Sequence, residues 1–149
     1  MEVSLRPITR ENFDECVGLR IADDQTGLVA SNVYSIAESA IDPSLVPRAI
    51  YAGETMVGFA MYDCQPDPRD GRYWIHRLMV DTHYQGKGFG RAGLLAVMQV
   101  MLAQPGCDEI MIGHYPHNIA AKTLYESVGF VELGPAPWGG EVIARYQPG

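Results

Sequence analysis

Lysine is almost missing from this chain: Lys87 and Lys122 are the only two in 149 residues. Cysteine is scarce as well. Cys16, Cys64 and Cys107 are odd in number and far apart, and no C-x-x-C occurs. A disulfide framework and a zinc knuckle are thereby excluded, and reduced, mostly buried thiols of a cytoplasmic protein are predicted. No apolar run approaches the roughly 18 residues of a membrane span. The opening MEVSLRPITRENF has no apolar core of the about 7–15 residues that a signal peptide requires. Internal repeats and low-complexity runs are absent. Positive charge is deficient: the net charge of −7 disfavours non-specific contact with nucleic-acid phosphate or an anionic membrane.

What is present fits one globular domain, residues 1–149, with 47% apolar and 19% charged residues. The charge is uneven. Residues 1–70 carry five arginines against twelve Asp and Glu, whereas residues 71–149 balance six against six. A first strand is predicted at Val3–Pro7. A helix follows, capped at Thr9 and carrying Phe13, Cys16, Val17, Arg20 and Ile21 at helical spacing, and a second covers Val33–Ala40. Arg48–Gly53 and Met56–Cys64 read as a hairpin turning at Gly53-Glu54. The segment from Gln65 to Gly71 is a turn-rich loop, and Arg72–Asp81 a long strand. A helix follows with Leu94, Met98, Met101 and Leu102 on one face. Strand Glu109–Tyr115 and helix Asn118–Val128 come next, with Gly129 at the helix C-terminus. Phe130–Leu133 and Glu141–Tyr146 close the sequence. The order β-α-α-β-β-β-α-β-α-β-β predicts a mixed α/β sheet with helices on both faces.

Between the fourth strand and the third helix lies Gln85-Gly86-Lys87-Gly88-Phe89-Gly90-Arg91. Its glycines let the backbone approach a ligand and adopt φ > 0. The helix starting near Gly88 offers unpaired N–H groups and a dipole that favours an anion, and Lys87 and Arg91 add charge. This is a cradle for pyrophosphate. It is neither G-x-x-x-x-G-K-[ST] nor G-x-G-x-x-G, so neither a nucleoside-triphosphate loop nor a dinucleotide fingerprint is present.

The loop fits Q/R-x-x-G-x-G/A and resembles the acetyl-CoA loop of the GCN5-related N-acetyltransferases (GNAT). Asn118 to Phe130, read as N-x6-Y-x4-GF, is similar to the family's second CoA-binding segment, and the resemblance covers nearly the whole chain. Gly71–Gly90 and the hairpin Val57–Tyr62 are most similar to its spermidine/spermine (diamine) acetyltransferase branch. The resemblance implies a single-domain GNAT fold with a seven-stranded mixed sheet. It implies acetyl-CoA as co-substrate; no metal is expected, because the H-x-x-H pair His114 and His117 has no third ligand. Leu78, Met79 and Val80 would pair with the pantetheine arm. Gln85, Gly86, Lys87, Gly88, Phe89, Gly90 and Arg91 would hold the pyrophosphate, with Asn118 and Lys122 beside the cofactor. Tyr125 would be the general acid at the sulfur. Ala120, Leu124 and Val128 read as the helix's core stripe.

The acceptor amine poses a chemical problem. With a pKa near 10.4, only about 1 in 2,500 alkylamine molecules is neutral at pH 7, a penalty of about 4.6 kcal/mol. A proton acceptor is needed near the fourth strand. His76 occupies the place where polyamine-type relatives carry an acid, and an imidazole changes charge near neutral pH; Asp81 or a water chain is the fallback. On the acceptor side the family's first two helices build the pocket, which here offers Asp23, Asp24, Gln25, Asn32, Tyr34 and Glu38 to a cationic amine. Asp14, Glu15, Asp42 and Asp67 read as surface, and Trp74 and Trp138 as core. His114 and His117 form an H-x-x-H without a third ligand. The expected function is therefore acetyl transfer to a primary amine of a small diamine or polyamine, with a homodimer as the default assembly. Two readings stay open beside it: another acceptor (an aminoglycoside, an amino acid, a protein N-terminus or lysine), and an acyl-CoA sensor without turnover.

Overall fold

The computed structural model describes residues 2–21 and 30–149. Its strands are β1 (Ser4–Pro7), β2 (Leu45–Ala52), β3 (Thr55–Asp63), β4 (Trp74–Val80), β5 (Ile110–His114), β6 (Val131–Pro135) and β7 (Val142–Tyr146). Its helices are α1 (Phe13–Gly18), α2 (Asn32–Ile41), α3 (Phe89–Leu102) and α4 (Ile119–Ser127). This is the expected order, with a short 3-10 turn at Thr82–Tyr84 added. The strands form one sheet, ordered β1-β2-β3-β4-β5-β7-β6. Every neighbouring pair is antiparallel except β4 and β5. No helix among the described residues is long and apolar enough to cross a membrane.

Two apolar layers sandwich the sheet. On one face Val57, Ala60, Tyr62 and Ile75 pack with Leu94, Val97, Met98 and Met101 of α3 and with Tyr125 of α4. On the other, Met56, Phe59, Met61 and Met79 pack with Cys16 of α1 and Ile36 of α2. Leu94, Val97, Met98 and Met101 follow helical periodicity, which explains why α3 lies flat on the sheet. The first helix is shorter than its spacing suggests. Its N-cap is Asn12, not Thr9, and it ends at Gly18, leaving Arg20 and Ile21 outside. Arg20 N–H instead donates to the Asp81 carboxylate at 2.8 Å, so a long-range bond replaces a further helical turn.

Strand β4 contains the feature that makes a site possible. Arg77 stands opposite Met61, but Ile75 stands opposite Tyr62, so His76 has no partner across the ladder. This bulge leaves Ile75 and Arg77 on opposite faces although they are two apart. Ile75 joins the α3 side, while Arg77 reaches Glu38 on α2. The parallel pairing of β4 with β5 covers only Trp74–Met111 and Ile75–Ile112. It stops where the bulge begins, and the two strands diverge beyond it.

Gly58 faces Val80 across the ladder. A β-carbon there would run into the Met79 carbonyl oxygen and lie 3.3 Å from Val80 Cα. Backbone cannot yield as a side-chain tip can. Gly58→Ala is expected to cost about 2–3 kcal/mol through overpacking, lowering Tm by about 4–12 °C in a thermal melt. A melt identical to the parent would show that β4 can shift at this point.

Candidate active site

The divergence of β4 and β5 opens a cleft of about 620 Å³ lined by Ile75–Val80 of β4, Ile112–Tyr115 at the end of β5, Tyr84–Gly86, Gly90, and Asn118, Ala120, Ala121, Leu124 and Tyr125 at and along α4. Ile21 and Ala30, which flank residues 22–29, also line it. Beyond Ile75, the backbone groups of β4 that face β5 have no strand partner among the described residues. Leu78, Met79 and Val80 stay paired with β3 on their other side. A ligand entering the cleft can therefore bond to this edge as a strand would.

The glycine loop has the backbone geometry that an anion cradle requires. Gly86 (φ 77°) and Gly88 (φ 89°) occupy the left-handed region, where a β-carbon is strained. Gly88 is the N-cap of α3 and makes no side-chain capping bond, which leaves first-turn N–H groups for an anion. Gly90 serves the close approach and not a positive φ. It lies inside the helix and lines the cleft, with Leu124 3.7 Å from its β-carbon position. The Gln85 side-chain amide donates to the Val80 carbonyl at 2.9 Å and ties the loop to β4. Lys87 approaches the Tyr84 ring, 6.0 Å from its centre, and Phe89 meets the same ring edge-on at 6.3 Å. Lys122 departs from the expectation: its ammonium turns to Glu132 at 4.0 Å and does not line the cleft. Asn118 both lines the cleft and caps α4, accepting from Ala121 N–H at 3.1 Å.

Tyr125 is the buried residue of α4. Ala120, expected in the core, is exposed and lines the cleft, whereas Ala121, Leu124 and Val128 pack on the core. Burial pushes the Tyr125 phenol up to about 12, helped by the negative charge of Glu141. The hydroxyl thus stays protonated through the physiological range.

The bulge delivers His76 into the cleft next to a buried carboxylate. Asp63, fully shielded from solvent, meets His76 Nε2 through Oδ1 at 2.9 Å and accepts the Trp74 backbone N–H through Oδ2 at 2.8 Å. An ionised carboxylate only accepts. The imidazole therefore donates from Nε2, and Nδ1 is the basic nitrogen. Asp67, expected at the surface, is also buried, with Oδ2 3.9 Å from His76 Nε2. Arg69 grips Asp67 with Nε at 3.0 Å and Nη2 at 2.7 Å, which holds that carboxyl below the usual range. Asp63, Asp67 and His76 lie close enough together to share a metal ion. Their donor atoms are already engaged with one another, with Arg69 and with the Trp74 amide.

Asp81, the fallback base, does not line the cleft, and its oxygens are engaged elsewhere. Burial opposes its charge, but bonds from Arg20 N–H, His83 N–H and the His83 ring keep its pKa below the ordinary value. The H-x-x-H histidines separate: His114 packs edge-on against Tyr125 at 5.9 Å, while His117 stacks on Tyr115.

The acceptor-side candidates are redistributed. Asn32 is buried and donates to the Cys16 carbonyl at 2.9 Å, joining α2 to α1. Glu38 is bound to Arg77 at 2.7 Å, and Tyr34 is exposed on α2. None of the three lines the cleft. Asp23, Asp24 and Gln25 lie outside the described residues. Trp138, expected in the core, is exposed, with its ring edge-on to the buried Trp74 at 5.7 Å. Glu141, which the sequence reading passed over, lines the cleft.

A splayed parallel pair, a glycine cradle before a helix and a buried tyrosine at the far wall together define an acyl-CoA-dependent transferase, and comparison with known proteins agrees. Residues 10–130 match the acetyltransferase (GNAT) family, and the chain belongs to that family as an acetyl-CoA-dependent N-acetyltransferase. It is 29% identical over 147 residues to the spermine/spermidine N(1)-acetyltransferase of Bacillus subtilis strain 168, covering 96% of this chain and 97% of the relative. The probable spermine N(1)-acetyltransferase of B. subtilis subsp. natto matches to the same extent. Among solved structures, the aminoglycoside acetyltransferase AAC(6')-Ib with ribostamycin and coenzyme A superposes with a TM-score of 0.80 at 18% identity, over 99% of this chain and 94% of that one.

Proposed function

We propose that this protein transfers the acetyl group of acetyl-CoA directly to a primary amine of a diamine or polyamine in the cytoplasm. The observation that carries this reading is that Tyr125 and His76 line one cleft, in a chain similar over 96% of its length to polyamine acetyltransferases. The edge of β4 at Leu78–Val80 and the amides of Gly86–Arg91 hold the pantetheine and pyrophosphate of acetyl-CoA. His76 takes a proton from the acceptor ammonium through Nδ1, while Asp63 fixes the ring and steadies the imidazolium. The amine nitrogen then bonds to the thioester carbonyl carbon and the carbon–sulfur bond breaks. Tyr125 donates its proton to the departing sulfur. The nitrogen, now bonded to the acetyl carbon, sheds its second proton, which restores Tyr125 by way of solvent, and His76 releases to solvent the one it took.

Transfer assays with spermidine, spermine, putrescine, an aminoglycoside, free amino acids and a lysine peptide test the proposal. The expected kcat/KM is at least about tenfold higher for the polyamines, since a second charge-assisted contact contributes about 1.5–3 kcal/mol. A preference for any other acceptor would overturn the polyamine reading, and acetyl-CoA binding without turnover on the whole panel would overturn the enzymatic one.

A further inference from the structure

Apart from its tyrosines, the described cleft wall has four side chains that carry or can carry charge: His76, Arg77, His114 and Glu141. Two are matched. His76 has Asp63, and Arg77 has Glu38 at 2.7 Å and donates to the His76 carbonyl. Glu141 is different. Among the described residues it has no cationic partner, and its carboxylate has one hydrogen bond, a long one of 3.4 Å from the exposed Trp138 indole to Oε1. Beside it, His114 is buried, and its Nδ1 is shut off from solvent with no partner. A buried polar atom left unsatisfied is costly unless a ligand completes it.

The backbone makes room for this carboxylate. A β-carbon at position 113 would sit 2.6 Å from Glu141 Oε2. Gly113 lies within β5 and pairs with Ile143 of β7, so the strand gives up a side chain where the neighbouring residue's carboxylate lies against it.

We propose that Glu141 is the counter-ion for the second, non-reacting ammonium of a diamine or polyamine acceptor, in a niche that Gly113 keeps open. This rests on the polyamine reading above. A carboxylate against the reacting nitrogen would hold its proton and oppose attack on the thioester. A carboxylate against the next nitrogen along the chain imposes no such penalty and pulls the near amine into line. Glu141 therefore acts on binding and on choice of acceptor, and His76 and Tyr125 on the proton transfers.

The test measures kcat and KM for putrescine and for n-butylamine, which differ by the second ammonium, in the wild type, Glu141→Gln and Gly113→Ala. Wild type is expected to prefer putrescine. Glu141→Gln should raise KM for putrescine about 10- to 100-fold while changing KM for butylamine and for acetyl-CoA less than about threefold. Gly113→Ala, whose new methyl would clash only with the Glu141 carboxylate end and would touch the Val142 carbonyl at an ordinary contact distance of 3.8 Å, should shift KM in the same direction with a normal melt. A wild type that prefers butylamine overturns the polyamine reading and this inference with it. A wild type that prefers putrescine, with Glu141→Gln raising both KM values equally or neither, overturns the inference alone. Loss of kcat with KM unchanged would make Glu141 a proton acceptor instead.

Discussion

Tyr125→Phe should lower kcat by roughly 10²–10⁴ with no change in acetyl-CoA affinity, measured by thiol release and by direct titration. The phenol at about 12 would be a poor acid toward a thiol in water, where a thiolate gains its proton near 8.5. Inside the cleft, however, the same desolvation acts on sulfur. Cys16, a buried thiol of this protein, is pushed up to about 11 by its burial. Burial of a departing thiolate raises its proton affinity in the same sense, which favours transfer from Tyr125 as the carbon–sulfur bond breaks. Removal of one oxygen leaves the packing against His114 and Phe130 in place, so binding should survive. In the wild type, Tyr125 ionisation should not limit kcat until near pH 12. A fully active Tyr125→Phe enzyme would remove the tyrosine from the mechanism.

The second large effect concerns His76 and the carboxylate behind it. His76→Ala should lose roughly 10²–10⁴ in kcat/KM at neutral pH and with it the acidic limb of the pH profile. Asp63→Asn is the sharper probe. Asp63 accepts at both oxygens, from the Trp74 amide and from His76 Nε2, and asparagine has one accepting atom. If that oxygen keeps the Trp74 amide, the new NH₂ faces Nε2, forces the proton to Nδ1 and blocks the base. If it faces His76, the Trp74 amide is orphaned. We expect a loss of at least about 10² in kcat with acetyl-CoA binding retained, by the tautomer logic known from catalytic triads. An unaltered pH profile in both variants would move the proton-accepting role elsewhere.

These two sets of residues differ in how far the sequence reveals them. Tyr125 sits seven residues after Asn118 on one helix, and the loop at Gln85–Arg91 is contiguous, so local spacing suffices. The same holds for the helical face Leu94, Met98 and Met101. The pairing of Asp63 with His76 depends on the register of β3 against β4 and on a one-residue irregularity within it, which no local pattern announces. Asp67 looks like one more carboxylate of a turn, yet the turn folds back over His76 and buries it. Glu38 sits on an exposed-looking helix but is bound by an arginine 39 residues away. Glu141 is the instructive omission. Its role becomes visible only when β5 and β7 are known to be neighbours. The one sequence signal was Gly113, an isolated glycine inside a strand, which marks a close approach by something else.

The bulge in β4 gives position 76 a meaning that substitution alone does not probe. Replacing His76 changes a functional group but leaves the strand one residue longer than its neighbour requires. Deleting the residue would keep Tyr62 opposite Ile75 and Met61 opposite Arg77, and would leave no surplus to turn β4 away from β5. The empty space of the site is thus encoded as a count of residues as well as a choice of side chains, and an alignment that closes this gap would erase the cleft while leaving every named catalytic group but one in place.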